Sequence, residues 1–313
     1  MISISSAETS PQTPASEDPF RLTNQSAYVR WRQEKLCDYP TTPEALRIDI
    51  ADPFALTPVE RASLLGICRK TNLALFRVGS TARNTKAMVR ALGQQLGLIR
   101  LDRNLCADED GIAAIRVVPE GKPREYIPYS NRAINWHTDG YYNGPQHQVR
   151  GFIMHCVCDA AAGGANTLLD PEILYIRIRD EHPDYLVALS APDAMMIPGN
   201  SDNGRLLRPE QSGPVFSVNE QDGALHMRYT ARTRSIRWQD DELTRRALRF
   251  LEGLLASDLP YMVRVRLKPG EGIICNNVLH TREAFTDDPA RGKTRLVFRA
   301  RYFDRIGPPL VAR

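Results

Sequence analysis

From about residue 113 to about residue 303 the chain is a succession of short β-type runs. No other feature limits its fold as much. AAIRVV, GFIMHCVC, ANTLLD, PVFSV, ALHMRY, MVRVRL, GIIC and TRLVFRARYF are rich in branched and aromatic side chains. Each is bounded by Gly, Pro, Asn or Asp. Many short strands separated by turn residues predict a sandwich or jelly roll. Two helical stretches interrupt them, near 171–190 and at 240–256. The second, DDELTRRALRFLEGLLAS, places acids first and apolar residues at helical spacing. Residues 198–213, rich in Gly, Asn and Pro, read as a loop.

The segment before this region has a different character. Residues 1–25 are polar, contain Pro and lack periodicity, so a disordered tail is expected. Thr57 then opens a helix, with Pro58 at its first position and Glu60 placed to complete a capping box. LALFRV (73–78) reads as a buried strand, and TKAMVRALGQQLG (85–97) as an amphipathic helix ending on Gly. No flexible linker follows, so this α/β start is expected to form one face of a larger domain. The fold class expected is α+β and mainly β, with flanking helices and helical insertions. A single domain is expected over 26–313, its β core at about 113–303.

Composition excludes several functions. The net charge of +4 is small and the arginines are scattered, so nucleic acid is not an expected partner. No apolar run approaches the roughly 20 residues that span a bilayer. The first twenty residues lack a basic start and an apolar stretch, which argues against a secretory signal and for the cytoplasm. Six cysteines are too few and scattered for a disulfide scaffold in 313 residues. Cys156 and Cys158, on one face of a strand, read as reduced core residues. A small-molecule substrate is the partner expected. A homo-oligomer is left open.

Six histidines are present, and two begin an H-x-D triplet. His182-Pro183-Asp184 lies between two helical runs, where Pro and Asp suit a first turn, and reads as structural. His137-Thr138-Asp139 ends an extended approach and enters a Gly/Asn-rich turn. In an extended segment residues i and i+2 share a face, so one backbone presents an imidazole and a carboxylate together. His280, where a strand in GIICNNVLHTREAF meets a turn, is the best third ligand. Two histidines and one carboxylate leave three adjacent octahedral positions open, the arrangement of non-haem Fe(II) oxygenases.

Four stretches in this order resemble the taurine dioxygenase-like (clavaminate synthase-like) family of Fe(II)/2-oxoglutarate oxygenases. They are Trp136-His137-Thr138-Asp139-Gly140, Gly163-Gly164-Ala165-Asn166-Thr167, Asn277-Val278-Leu279-His280 and Thr294-Arg295-Leu296-Val297-Phe298-Arg299. The likeness runs from about 125 to about 303, and more loosely from about 45. It implies a double-stranded β-helix (jelly-roll) core with His137, Asp139 and His280 holding Fe(II) at its mouth. It further implies that Arg295 binds the distal carboxylate of 2-oxoglutarate, that Thr167 donates a hydroxyl to it, and that Arg299 lies near cosubstrate or substrate. O2 would be consumed, succinate and CO2 released, and a C–H bond of a small polar metabolite hydroxylated. Asp139 disfavours halogenation, because halogenating members lose that carboxylate. The sequence departs from the family at Cys275-Asn276-Asn277, where an Asp-Asn-Arg type of run is common. It departs again at Asn166, an extra residue before Thr167.

The residues themselves bear on the cosubstrate. Arg pairs with a carboxylate through two hydrogen bonds, as one end of a dicarboxylate requires. Arg295 and Arg299 are separated by an even number of residues, so a strand puts them on one face. Arg301 is expected on a solvated outer face. Arg132, Asn135, Tyr141 and Tyr142 flank the triplet as candidate pocket residues, and Trp136, opposite His137, is expected to pack. Two other readings stand: a zinc-dependent hydrolase using the same His/Asp/His set, and a non-catalytic jelly-roll protein that binds a metal or small molecule.

Overall fold

The computed structural model describes residues 18–79, 85–103, 108, 110–118, 126–202, 204–232 and 236–307. Helix α1 spans Gln25–Leu36, strand β1 Arg47–Ile50, α2 Pro58–Thr71, β2 Leu73–Val78 and α3 Lys86–Gln95. Local chemistry fixes these limits. Thr57 and Glu60 form the reciprocal capping box of α2, and Asn72 ends it in the left-handed region at φ 59°. Thr85 caps α3 by accepting from the Met88 N–H. Strand β3 is Ile112–Ile115, β4 Ile134–His137, β5 Gly151–Cys158 and β6 Asn166–Leu169. Helices α4 (Pro171–Glu181), α5 (Pro183–Leu189) and α6 (Glu242–Ala256) are the predicted insertions. Strands β7 (Val263–Val265), β8 (Glu271–Cys275), β9 (Leu279–Arg282) and β10 (Leu296–Tyr302) complete the main sheets.

A six-stranded sheet has the order β1-β2-β8-β5-β10-β3, and a four-stranded sheet the order β7-β6-β9-β4. Every pairing in them is antiparallel except β1 with β2, which α2 joins. Leu73, Leu75, Phe152, Met154, Ile273 and Val297 from the first sheet pack against Leu168, Val263 and Val265 from the second. Two helical layers close the outside. Helices α2 and α3 cover the outer face of the larger sheet through Leu64, Met88, Val89 and Leu92 against Phe76, Ile153, Ile274 and Tyr302. Helices α4, α5 and α6 cover Leu169 and Leu279 of the smaller sheet through Ile173, Leu174, Leu186, Leu248 and Leu251. The α/β start therefore forms one face of the larger assembly.

Two expectations change here. Residues 1–17 of the expected tail lie outside the described residues, but residues 18–24 are packed. The Phe20 ring sits 4.9 Å from Trp31 and 5.3 Å from Tyr175. Arg179 donates to the carbonyls of Pro19, Arg21 and Leu22. Apolar burial at Phe20 and Leu22 overrides the polar composition around them. Lys35, at the end of α1, is buried between Asp170 (2.7 Å) and Glu172 (2.5 Å) at the start of α4. The second change concerns 198–213. Asn200–Asp202 pairs with Arg205–Arg208, and Gln211–Gly213 pairs with Met195–Ile197. The turn residues seen in the sequence are those of tight hairpins.

Candidate metal centre

Strand β4 delivers His137 and the turn after it delivers Asp139, while β9 delivers His280 directly across from His137 in the ladder. One ligand atom from each lies within 4.8 Å of the others. The two imidazole centroids are 4.1 Å apart. Gly140 makes the turn possible. Its φ is +67°, and a Cβ there would meet Val149 Cγ2 at 2.5 Å.

The histidines are oriented alike. His137 Nδ1 bonds the Asn135 carbonyl at 2.9 Å, and His280 Nδ1 bonds the Val278 carbonyl at 3.0 Å. A carbonyl only accepts, so each Nδ1 carries the proton and each Nε2 keeps a lone pair. Burial pushes the His137 pKa down to about 3, helped by the neighbouring His280. Burial lowers His280 as well. Both are thus neutral, the form that binds a metal. Burial works against ionised Asp139, but the charges of Arg299 and Arg301 hold its carboxyl well below the usual range. Arg299 Nη1 donates to Asp139 Oδ1 at 3.0 Å. Oδ2 is buried and has no hydrogen-bond partner among the described residues. A buried anionic oxygen without a partner is costly. In a cluster where one ligand atom from each of the three residues lies within 4.8 Å of the others, it fits a bound cation.

Asn277 fixes the carboxylate arm. Its Oδ1 accepts from the Asp139 N–H at 2.8 Å, and its Nδ2 donates to the carbonyls of Asp139 (2.9 Å) and Val149 (2.6 Å). It does so from the left-handed region, at φ 51°. The departure at Cys275-Asn276-Asn277 therefore supplies a support the sequence did not disclose.

The other sequence-stated candidates divide. Arg295 is buried, its Nη1 without a partner among the described residues, beside a small cavity whose lining includes Cys156, Asp159, Gly164, Asn166 and Arg266. Gly163 makes room there, since a Cβ on it would lie 2.2 Å from the Ala284 carbonyl oxygen. Thr167 faces the other way. The pleat pairs it with exposed Arg264, whereas Asn166 and Leu168 pair with inward Val265 and Val263. Asn166 turns into the interior. Arg301 is likewise not on a solvated face. It is 3% exposed, paired with Asp102, and donates to the Tyr142 hydroxyl at 2.9 Å. Trp136 packs among the insertion helices and donates Nε1–H to the Leu255 carbonyl. Arg132 and Asn135 are exposed, and Tyr141 and Tyr142 half-buried, their rings 5.2 Å apart. His182 lies against Tyr185, 4.4 Å between centroids, away from the triad. Cys156 and Cys158 are free thiols, whereas Cys106 lies outside the described residues.

Arg282 was not foreseen. It shares the inward face of β9 with His280 and donates to the carbonyls of Pro128, Ser130 and Arg132. Burial and the charges of Arg295 and Arg299 push its pKa down to about 9. The parity of His280 and Arg282 was the available signal.

A half-buried imidazole, a buried imidazole and a buried carboxylate, with one ligand atom of each within 4.8 Å of the others, form a set able to hold a single metal ion. The chain belongs to the family described as taurine catabolism dioxygenase TauD, TfdA family, whose profile matches residues 35–301. It is an oxidoreductase. No curated protein sequence matches it significantly. Among solved structures it is similar to asparagine oxygenase in complex with Fe(II), 2S,3S-3-hydroxyasparagine and succinate, at 18% identity and TM-score 0.57. That match covers 80% of this chain and 81% of the other. It is also similar to PvcB, an Fe, alpha-ketoglutarate dependent oxygenase from an isonitrile synthetic pathway (18%, TM-score 0.53, coverage 82% and 85%). A third is a putative alpha-ketoglutarate-dependent taurine dioxygenase from Burkholderia xenovorans (16%, TM-score 0.54, coverage 82% and 89%). At these identities the likeness is one of fold.

Proposed function

We propose that this chain is an Fe(II)- and 2-oxoglutarate-dependent dioxygenase that hydroxylates a C–H bond of a small polar metabolite. The observation that carries this is the clustering of one ligand atom each from His137, Asp139 and His280 within 4.8 Å, with Asp139 Oδ2 buried and without a hydrogen-bond partner among the described residues. In this reading His137, Asp139 and His280 hold the iron, and the two facing sheets are a double-stranded β-helix core. The single domain expected over 26–313 extends back to the packed residues 18–24 and acts in the cytoplasm.

Arg295 takes the distal carboxylate of 2-oxoglutarate on its unpartnered Nη1. Arg282 and Arg295 are buried and Arg299 half-buried, and the charges of Arg295 and Arg299 both act on Arg282, so an added anion would relieve their repulsion. Asn166, rather than Thr167, offers the amide that faces the same cavity. Arg299 and Arg301 keep Asp139 ionised, and the two Nδ1–H bonds keep the rings from turning. Iron with 2-oxoglutarate supplies O2 activation, giving succinate, CO2 and a hydroxylated product.

Anaerobic addition of Fe(II) and 2-oxoglutarate should give the weak visible charge-transfer band of a chelated keto acid. Iron binding without that band would overturn the cosubstrate assignment. A zinc hydrolase or a non-catalytic binder would show no O2-dependent succinate.

A further inference from the structure

We propose that Asp102, which lies outside the ligand set, is a positioning residue for the metal centre and acts on Asp139 through Arg301. The inference rests on the dioxygenase reading and adds to it a residue that sets metal affinity. Residue 102 grips residue 301 twice. The Asp102 N–H donates to the Arg301 carbonyl at 2.8 Å, and Asp102 Oδ2 accepts from Arg301 Nη2 at 2.5 Å. The other arm of the fork, Nη1, donates to the Tyr142 hydroxyl at 2.9 Å. These partners leave Nη1 3.8 Å from Asp139 Oδ1, beyond hydrogen-bond reach. Arg299 takes that oxygen instead, at 3.0 Å. Arg301 is 3% exposed and Asp102 8%, so solvent screens the pair little.

A cation this close to Asp139 has two opposed effects. It favours the ionised carboxylate, and it repels the metal ion that the carboxylate would hold. Asp102 settles the balance. Its negative charge offsets that of Arg301, and its hydrogen bond keeps the fork turned away from Oδ1. Burial works against the Arg301 charge, but Tyr142, Asp139 and Asp102 together raise its pKa, so the guanidinium stays charged whichever partner it has. Among the described residues Arg301 forms ion pairs with Asp102 and Asp139 alone. Without the Asp102 charge, Asp139 is the carboxylate left to it. Arg301 then closes the 3.8 Å gap, and a metal ion has to compete with a second guanidinium for Asp139.

The test is calorimetric Mn(II) binding to the full chain, without cosubstrate, in the wild type, Asp102→Asn, Asp102→Glu and the double variant Asp102→Asn/Arg301→Gln. Asparagine keeps the shape and an acceptor but not the charge. Asp102→Asn should bind Mn(II) about tenfold more weakly, the lower end of what the outer support of a ligating carboxylate is worth. Asp102→Glu restores the charge and should bind at least threefold tighter than Asp102→Asn. The double variant should do the same, because the uncompensated cation is gone while Arg299 still holds Asp139. A purely structural role for the pair predicts the reverse, since the double change removes more contacts. With Mn(II) saturating, N-oxalylglycine should bind Asp102→Asn within about twofold of wild type, because Arg295 and its cavity are untouched. Mn(II) affinity of Asp102→Asn within twofold of wild type, a double variant no tighter than the single, or a parallel loss of N-oxalylglycine would overturn the proposal. If Asp102→Asn does not fold, the double variant decides: Mn(II) affinity within about fivefold of wild type supports the proposal, and a greater loss overturns it. Failure of the wild type itself to bind Mn(II) would instead refute the dioxygenase reading.

Discussion

Asn277→Ala tests whether the carboxylate arm of the metal site is held by a single side chain. Asn277 makes three buried hydrogen bonds, one to the Asp139 N–H and two to the carbonyls of Asp139 and Val149. Alanine removes all three and admits no water, since the side chain is 2% exposed. Each group left unsatisfied costs about 1–3 kcal/mol. The carbonyls sit at the lower end, so the sum is roughly 3–6 kcal/mol. Alanine at φ 51° also pays about 1 kcal/mol that glycine does not. Asn277→Gly should therefore lose the same hydrogen bonds and be about 1 kcal/mol more stable than Asn277→Ala. Urea unfolding of the metal-free protein measures both, as a fall in midpoint at constant slope. Metal affinity should fall about 10–100-fold, because Asp139 is no longer oriented. Calorimetric Mn(II) binding to Asn277→Gly gives that figure even if the alanine variant fails to fold. A loss under about 1 kcal/mol in both variants, with Mn(II) affinity within twofold of wild type, would refute the reasoning.

Three further outcomes are expected. Arg295→Ala should raise the 2-oxoglutarate requirement about 100-fold or more while Thr167→Val leaves it within about twofold, because only the first side chain faces the cavity; steady-state succinate release reads both. His137→Ala should abolish Mn(II) binding and turnover, whereas His182→Ala should leave each within about twofold; equal losses would mean that the other triplet is the ligand. The metal-free protein should lose stability in acid through His155, which is fully buried and whose pKa burial pushes down to about 4. The folded value lies below the unfolded value of about 6.5, so this contribution is complete above about pH 6.5 and is lost as pH falls toward 4, by about 3 kcal/mol. His155→Phe should flatten that part of the urea midpoint against pH, and an unchanged slope would show that His155 is not the group titrating.

The triad was legible because its geometry is local. An H-x-D in an extended segment shares a face by the pleat alone, and the strand before His280 announced itself by its turn. The helices were legible through Thr57, Pro58 and Thr85, whose caps act within three residues. What escaped depends on distant partners. The even spacing of Arg299 and Arg301 points Arg301 inward, but its placement there also requires Asp102, 199 residues away, and no pattern near Arg301 signals it. Which way Thr167 faces could not be read locally, because register is set by pairing with β7, almost 100 residues later. Asn277 is not a ligand type, and its value lies in a backbone segment 138 residues before it. Hairpins at 198–213 were masked because their turn residues outnumber their apolar ones.

The packing of α1 has a practical consequence for where the working unit begins. The family match starts at Lys35, the residue buried between Asp170 and Glu172. A fragment cut at that point would keep the lysine but strip away the helix that delivers it. It would also expose the ledge of Tyr175 and leave Arg179 facing no carbonyls. Two buried acids would then lose a positioned counter-charge next to Asn72, which bonds Asp170 and, through Asn276, adjoins the support of Asp139. An expression boundary drawn by similarity would thus fall inside the physical domain. One drawn by burial falls near residue 18, and a shorter piece would be expected to yield aggregates rather than a smaller enzyme.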